Sequence, residues 1–286
     1  MLPDPVRRRA EEIAQDRTQG AFPLSLRALE AYERLGDRPD PETAEELHAT
    51  LVSGQPWMVA VRNASLLAQK LLLEGRGEEI VVLRDRLKEA RQTVARKAID
   101  RIRDAEAVVT ISYSSDVFEA LSHPEAPKGL RVYVCESRPL QEGIQLASNL
   151  HRIGVKAIAV ADAAGPTLVK QADAVLTGAD SFLRRGSLVN KIGTVGLALA
   201  SREFDVPFLP LLEVLKVELE GEEIEWKAEE RDPAELSRKV EALNFYFEEV
   251  PGTLLEAVAT DAGTERPAAL LSRFRTLEDL GEFYLG

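Results

Sequence analysis

The chain contains a single cysteine among its 286 residues, three histidines and two methionines. The lone Cys135 cannot close an internal disulfide, and such sparing use of cysteine suits a reducing compartment, so a cytoplasmic location is expected. His48, His123 and His151 fall on helical or loop segments rather than at strand ends. A Ser/His/Asp triad and a cluster of soft metal ligands are therefore not expected. No apolar run approaches the roughly 20 residues needed to cross a bilayer, so no membrane partner is expected. The opening MLPDPVRRRAEEIAQ carries basic residues without the apolar stretch of a secretory signal. Positive charge is also short: 36 Lys and Arg face 48 Asp and Glu, a net charge of -12. Nucleic-acid binders usually show the opposite balance, so direct nucleic-acid binding is not expected and any anion site must be built locally. Neither G-x-G-x-x-G nor a Walker loop is present, which removes support for a dinucleotide, and no cofactor is expected. There is no repeat, low-complexity stretch or obvious flexible linker.

What is present is an ordinary globular composition, 45% hydrophobic with a mean hydropathy of -0.16. Up to about residue 104 the apolar spacing is helical: Leu26, Leu29 and Tyr32 share a face, and Leu87, Ala90, Val94, Ala98 and Ile102 form a long stripe. Pro23, Pro41 and Pro56 stand near the expected helix starts. From Ala105 the pattern changes to short apolar segments, AVVTIS (107–112), LRVYVC (130–135), KAIAVA (156–161), ADAVLT (172–177) and VPFLPLL (206–212). Helical stretches separate them, at 117–121, 140–153, 167–171 and 194–202. This alternation predicts an α/β chain: a helical N-terminal domain over 1–104, then a parallel-sheet domain over 105–286 with helices on both faces. The acidic, mixed sequence after Glu218 reads as the closing edge of that second domain.

In open α/β sheets, ligands sit beyond the carboxyl ends of the strands. Polar clusters fall there: Ser112 to Ser115, Glu136-Ser137-Arg138-Pro139, Asp162, and Gly178-Ala179-Asp180. The last opens the stretch GADSFLRRGSLVNKIGT (178–194), which gathers an acid, an amide and three cations between two glycine-marked turns. The first amides of a helix opening at Gly193-Thr194 could hold a phosphate, with Lys191 adding charge. Asp180 could accept hydrogen bonds from sugar hydroxyls or carry a proton, and Asn190 could bind a hydroxyl or steady Asp180. The competing reading makes Asp180 and Lys191 an ion pair that pins the loop. Arg184-Arg185 reads as a solvated turn, and Cys135, at the end of an apolar strand, as a buried inert thiol ahead of a reactive one.

Over nearly the whole length these residues resemble one superfamily. The segments that carry the likeness are VCESRPLQEGIQLASNLHRIGVKAIAVADAA, GADSFLRRGSLVNKIGTVGLALA and VPFLPLLEVLK. That superfamily holds the alpha, beta and delta subunits of initiation factor 2B, methylthioribose-1-phosphate isomerase and ribose-1,5-bisphosphate isomerase. Gly20-Ala21 resembles its Arg-Gly-Ala element, with Gln19 where the phosphate-binding arginine would stand. PWMVAVRNA (56–64) resembles its Asn-Ala element, and Lys216 and NFYFEEVP (244–251) its C-terminal marks. The resemblance implies a helical domain followed by a Rossmann-like domain, as a homodimer or higher homo-oligomer. It also implies a small phosphorylated sugar or nucleotide as ligand. For the isomerases it implies aldose-to-ketose conversion by a cysteine and the aspartate of Gly-Ala-Asp. Here Asp180 occupies the aspartate position, whereas Ser112 stands at the cysteine's and Ile111 at that of the neighbouring histidine. A serine hydroxyl is far less acidic than a thiol and needs an adjacent base. The resemblance thus implies catalytic roles for Asp180 and Ser112. It implies substrate contacts for Gly20, Ala21, Arg17, Arg62, Asn63, Arg138, Asn190, Lys191, Gly193, Thr194 and Lys216, with Arg17 or Arg62 replacing the missing arginine. The other reading is a non-catalytic regulatory subunit of the initiation-factor type, acting through protein partners.

Overall fold

In a computed structural model of the chain, residues 1–16, 19–36, 39–54 and 56–286 are described. Five helices come first: α1 (Asp4–Gln15), α2 (Ala21–Glu33), α3 (Pro41–Ser53), α4 (Val59–Leu73) and α5 (Glu79–Ile102). Pro41 occupies the first turn of α3, where its missing N–H costs nothing, behind Asp40, whose carboxylate accepts from the Thr43 amide at 2.9 Å. The stripe expected on α5 is buried throughout, and it serves two cores. Leu83, Leu87 and Ala90 pack with the helical layer, whereas Val94, Ala98 and Ile102 pack on the sheet. At 24 residues, about 36 Å of helix, α5 is long enough to belong to both.

The sheet strands are β1 (Ala107–Ile111), β2 (Arg131–Cys135), β3 (Lys156–Val160), β4 (Ala174–Gly178), β7 (Phe208–Leu211), β9 (Val258–Thr260) and β10 (Gly263–Glu265). Their spatial order is β10-β9-β7-β4-β1-β2-β3, all parallel except the β9–β10 hairpin. The connecting helices are α6 (Ser115–Ser122), α7 (Glu142–Arg152), α8 (Gly165–Val169) and α9 (Thr194–Glu203). The period-two geometry of a strand sends alternate residues to opposite faces. Val108, Val132, Val134 and Leu176 meet α5, α6 and α7, while Val109, Ile111, Cys135 and Val175 join Val169 of α8 and Leu197 and Ala198 of α9. The helices on both faces match the expectation from sequence.

Two features go beyond it. KAIAVA, apolar enough for an interior strand, forms the sheet's edge, with Ile158 37% exposed. The stretch 178–194 is no simple loop between strand and helix. It holds β5 (Ser181–Phe182) and β6 (Leu188–Lys191), which pair antiparallel with each other and with β8 (Phe247–Val250) in a second, three-stranded sheet. After Glu218 the chain does close the main sheet through β9 and β10, then adds α10 (Pro267–Arg273) and α11 (Leu277–Leu285). The latter packs back on α4 and α5.

Candidate functional site

The strand order turns around β1: the chain runs outward through β2 and β3 on one side and through β4 and β7 on the other. Such a switch point leaves a crevice at the carboxyl ends of the two strands that flank it, because their connections depart in opposite directions. A cavity of about 290 Å³ lies there, lined by Ile111 to Asp116 after β1 and Gly178 to Asp180 after β4. Gln19 to Pro23 at the start of α2 form another wall, with Asn190 and Lys191 of β6, Glu142 and Gln145 of α7, Lys216, Tyr246 and Phe247 completing it.

Close backbone approach sets the geometry. A Cβ on Gly178 would lie 2.6 Å from Oγ of Ser114, so only glycine lets β4 end against the turn that follows β1. Ser112 has a left-handed backbone, φ +66°, strained for a non-glycine residue; its amide donates to Oγ of Ser137 at 2.7 Å. Ser114 caps α6, accepting from the Val117 amide at 3.3 Å, and Asp116 follows in the first turn.

The charges are tightly arranged. Nζ of Lys216 lies 2.8 Å from Oδ2 of Asp116 and 2.8 Å from Oε2 of Glu213, all three residues being at most 4% exposed. The Asp116 contact has hydrogen-bond geometry; the Glu213 contact is an ion pair without it. Burial, and then the charge of Asp116, push the Glu213 carboxyl up to about 8 against the pull of Lys216. Nζ of Lys191 is 2.5 Å from Oε1 of Glu142 and 4.9 Å from the ring centre of Tyr246. Asp180 is half-buried, and no described donor hydrogen-bonds its carboxylate. Desolvation pushes its carboxyl up to about 6, with Lys216 and then Lys191 opposing. The ion pair of Asp180 with Lys191 allowed by the sequence is therefore replaced by one of Lys191 with Glu142, and Asp180 stays open to the cavity.

Residues 17–267 match the initiation factor 2 subunit family. The chain belongs to that family.

Among its relatives in the initiation factor 2 subunit family is a translation initiation factor eIF-2B subunit 2-like protein of Pyrococcus abyssi, 29% identical over 93% of this chain and 98% of that one. Another is the ribose 1,5-bisphosphate isomerase of Haloferax volcanii, 28% identical over 95% and 92%. The crystal structure of the Pyrococcus horikoshii OT3 translation initiation factor eIF-2B superposes with a TM-score of 0.81 at 26% identity, covering 94% of this chain and 99% of that one. The family thus spans eIF-2B-like proteins and sugar-phosphate isomerases.

Within this family member, the residues singled out from sequence separate clearly. Ser112, Asp180, Asn190, Lys191, Lys216, Gly20 and Ala21 converge on the cavity. Gly193 and Thr194 do not line it. A carboxylate oxygen of Glu248 accepts from the amides of Gly193 and Val195, both at 2.8 Å, so the protein supplies its own anion at the start of α9. Thr194 is fully buried, donating its hydroxyl to the Lys191 carbonyl and accepting from Nδ2 of Asn190. Asn63 is buried away from the cavity, its Nδ2 donating at 2.8 Å to the carbonyls of both Leu215 and Val217. It grips the backbone on either side of Lys216. Arg62 is spent on Glu222, donating to its carbonyl at 2.9 Å and facing its carboxylate at 3.3 Å. Arg138 is exposed, and its amide, like that of Ser137, donates to Asp162. That polar cluster holds the turn after β2, one strand too far from the switch point to reach the cavity. Arg17 lies outside the described residues.

Arg184 donates to the carbonyls of Leu271 and Phe274 and faces Glu220, while Arg185 grips Glu249, so both tie down the hairpin instead of being merely solvated. Cys135 is buried, with its thiol pushed up to about 12 by desolvation and by Asp162. Sequence reasoning missed Asp116, Glu142, Tyr246 and Phe247 as cavity residues. The signal for Asp116 was its place in a helix's first turn, directly after the first strand.

Proposed function

We propose that the cavity binds a phosphorylated ribose-type ligand and that Asp180 acts there as the proton carrier of an aldose–ketose isomerisation. The observation that carries this reading is the carboxylate of Asp180, lacking any described hydrogen-bond donor and sharing one cavity with Ser112 and the first turn of α2. No described side chain caps that turn, so the amides of Ala21 and Phe22 are suited to a phosphate. A carboxyl held near 6 is divided between its two forms close to neutral pH, as a group that both takes and returns a proton requires. On an open-chain aldose whose phosphate is not on C1, Asp180 removes the proton from C2 and returns it to C1, while a hydroxyl proton passes from O2 to O1 through the enediol. The hydroxyl of Ser112, in place of the family cysteine, donates a hydrogen bond to the enediol oxygen and takes no proton itself, since no described base hydrogen-bonds it. The ribose 1,5-bisphosphate isomerase among the relatives supports the isomerase reading. We place the protein in the cytoplasm as a homodimer or higher homo-oligomer; partly exposed Leu140, Ile144, Ile153 and Ile158 on and around α7 and the edge strand favour self-association.

The test is a panel of aldose phosphates incubated with the protein in D₂O and followed by NMR for ketose formation and deuterium at C1. Asp180→Asn is expected to abolish turnover and keep measurable binding. Ligand binding with no ketose from any member of the panel removes the isomerase step, and unchanged turnover in Asp180→Asn removes Asp180 from it.

A further inference from the structure

An aldose–ketose isomerisation moves two protons, one between carbons and one between oxygens, and Asp180 carries only the first. The second needs a group on the cavity wall that can both give and take a proton. Ser112 does not fill that place, since a serine hydroxyl needs an adjacent base. Glu142 is partly exposed and matched one to one by Lys191. The Tyr113 hydroxyl accepts from Nδ2 of Asn149 at 3.2 Å. The Tyr246 hydroxyl donates to Glu235, and burial and then that acid push its pKa up. Asp116 remains, in the first turn of α6 and lining the cavity.

Asp116 and Glu213 close on one ammonium. Each has an oxygen 2.8 Å from Nζ of Lys216, so those two oxygens lie no more than twice that distance apart. Among the described residues Lys216 is the only cation within ion-pair distance of either acid. Two buried carboxylates against one ammonium leave an excess negative charge, which is costly out of water unless a proton neutralises it. Three oxygens of the pair also lack a donor: Oδ1 of Asp116 and both of Glu213. One proton between the two carboxyls answers both deficits, because a protonated carboxyl donates to its neighbour. Asp116 is placed to accept that bond, and burial and then its charge hold the Glu213 carboxyl above its ordinary range. The surroundings favour retention. Asp180 after β4 and Asp261 between β9 and β10 add negative charge, while Lys191 is spent on Glu142. Tyr284 of α11 is neutral and donates to Asp261.

We propose that Asp116 is a second catalytic residue of this cavity, holding one proton in common with Glu213 and exchanging it with the substrate's O1 and O2. This deepens the isomerase reading above and rests on it. As Asp180 takes the proton from C2, the electrons of that C–H bond form the C1–C2 double bond and those of the carbonyl pass to O1. O1 receives the proton of the Asp116–Glu213 pair, which gives the enediol. The freed carboxylate then takes the proton from O2. The O2 electrons form the C2 carbonyl, and the C1–C2 double-bond pair takes the proton back from Asp180 at C1. The acid pair ends with one proton, as it began, and no external electron donor or acceptor enters. Glu213 does not line the cavity and acts through Asp116 as a positioning residue, with Lys216 fixing the spacing of the two acids.

The shared proton is read first, by infrared spectroscopy of the ligand-free protein in D₂O. A protonated-carboxyl band is expected just above neutral pH, fading as pH climbs through about 8 and missing in Glu213→Gln. Asp180 and Asp261, each pushed up to about 6, are largely ionised there and do not mask it. Turnover is then followed with ribose 5-phosphate and the rest of the aldose phosphate panel. Asp116→Asn is expected to lower kcat about a hundredfold or more with KM within about threefold. The ratio of deuterium entering C2 of the recovered aldose to ketose formed is expected to rise, since Asp180 is intact; a damaged fold lowers both together. Glu213→Gln is expected to move the alkaline limb of kcat down by about one pH unit or more, whereas a purely structural role lowers kcat equally at every pH. The infrared band of the unaltered protein and the Glu213→Gln profile stand even if Asp116→Asn does not fold. A missing band, or a kcat for Asp116→Asn within about threefold of the unaltered protein, overturns the proposal and leaves Asp180 and the isomerase reading in place. No ketose from any aldose phosphate removes the isomerase reading itself, and the role of Asp116 falls with it.

Discussion

Lys216→Met gives the sharpest stability test of the cavity floor. Methionine nearly matches the lysine's aliphatic length, so packing is largely kept and the change is one of charge. The ammonium now lies 2.8 Å from oxygens of both Asp116 and Glu213, residues 1% exposed. Removing one partner of a buried pair leaves the other charge uncompensated, at a cost of about 3–5 kcal/mol. Both Asp116 and Glu213 lose their counter-charge, and burial, which already holds the Glu213 carboxyl up to about 8, adds to the cost. For a chain of this size it corresponds to a fall in Tm of roughly 6–15 °C. The pH dependence has a definite sign. The folded pKa of Lys216 is raised, so its own contribution is fully present below the unfolded value and is constant between pH 5 and 8. Glu213, also raised, contributes stability present below its unfolded value and lost as pH climbs through about 8. In the variant the buried acids are costly only when ionised, so the deficit widens from pH 5 to pH 8. Urea unfolding at both pH values measures it, and adding Asp116→Asn is expected to restore most of the loss. A deficit below about 1 kcal/mol at pH 8, or one equal at both pH values, would refute the assignment of Lys216 as the counter-charge.

Two further outcomes follow from described contacts. Glu248→Ala strips the cap from α9 and is expected to cost about 0.5–2 kcal/mol, with faster amide exchange confined to the first turn of that helix; unchanged exchange there would show the cap to be idle. Cys135, buried with its thiol pushed up to about 12, is expected to resist iodoacetamide at pH 8 and to react with one equivalent in urea; rapid labelling of the native protein would contradict its packing.

The order of helices and the five parallel strands were legible because each strand is a short apolar run bounded by turn residues, and α5 keeps its stripe over six turns. The small second sheet was not legible. β5 is two residues long, and β8 carries Glu248 and Glu249, with no apolar alternation to announce a strand. The edge position of β3 escaped for the opposite reason: KAIAVA is apolar, and local composition does not reveal which strand lies last in the sheet. In the site, Asp180, Asn190 and Lys191 could be picked out because they cluster in one short stretch. Glu142 could not, since nothing near residue 142 signals that its helix leans over β6 to meet Lys191. The phosphate expected at Gly193-Thr194 failed on a contact 55 residues distant in sequence, the Glu248 cap. A helix start looks alike in sequence whether its amides are vacant or filled from elsewhere in the chain.

Asn63 belongs to α4, yet the two carbonyls it holds flank Lys216, which follows the sheet strand β7. The helical layer is thereby bolted to the ammonium that balances Asp116 and Glu213 beneath the crevice. Sheet residues prepared without the first hundred would lose this bolt together with a wall, so the proposed recognition chemistry is a property of the assembled chain and cannot be transplanted with the sheet alone.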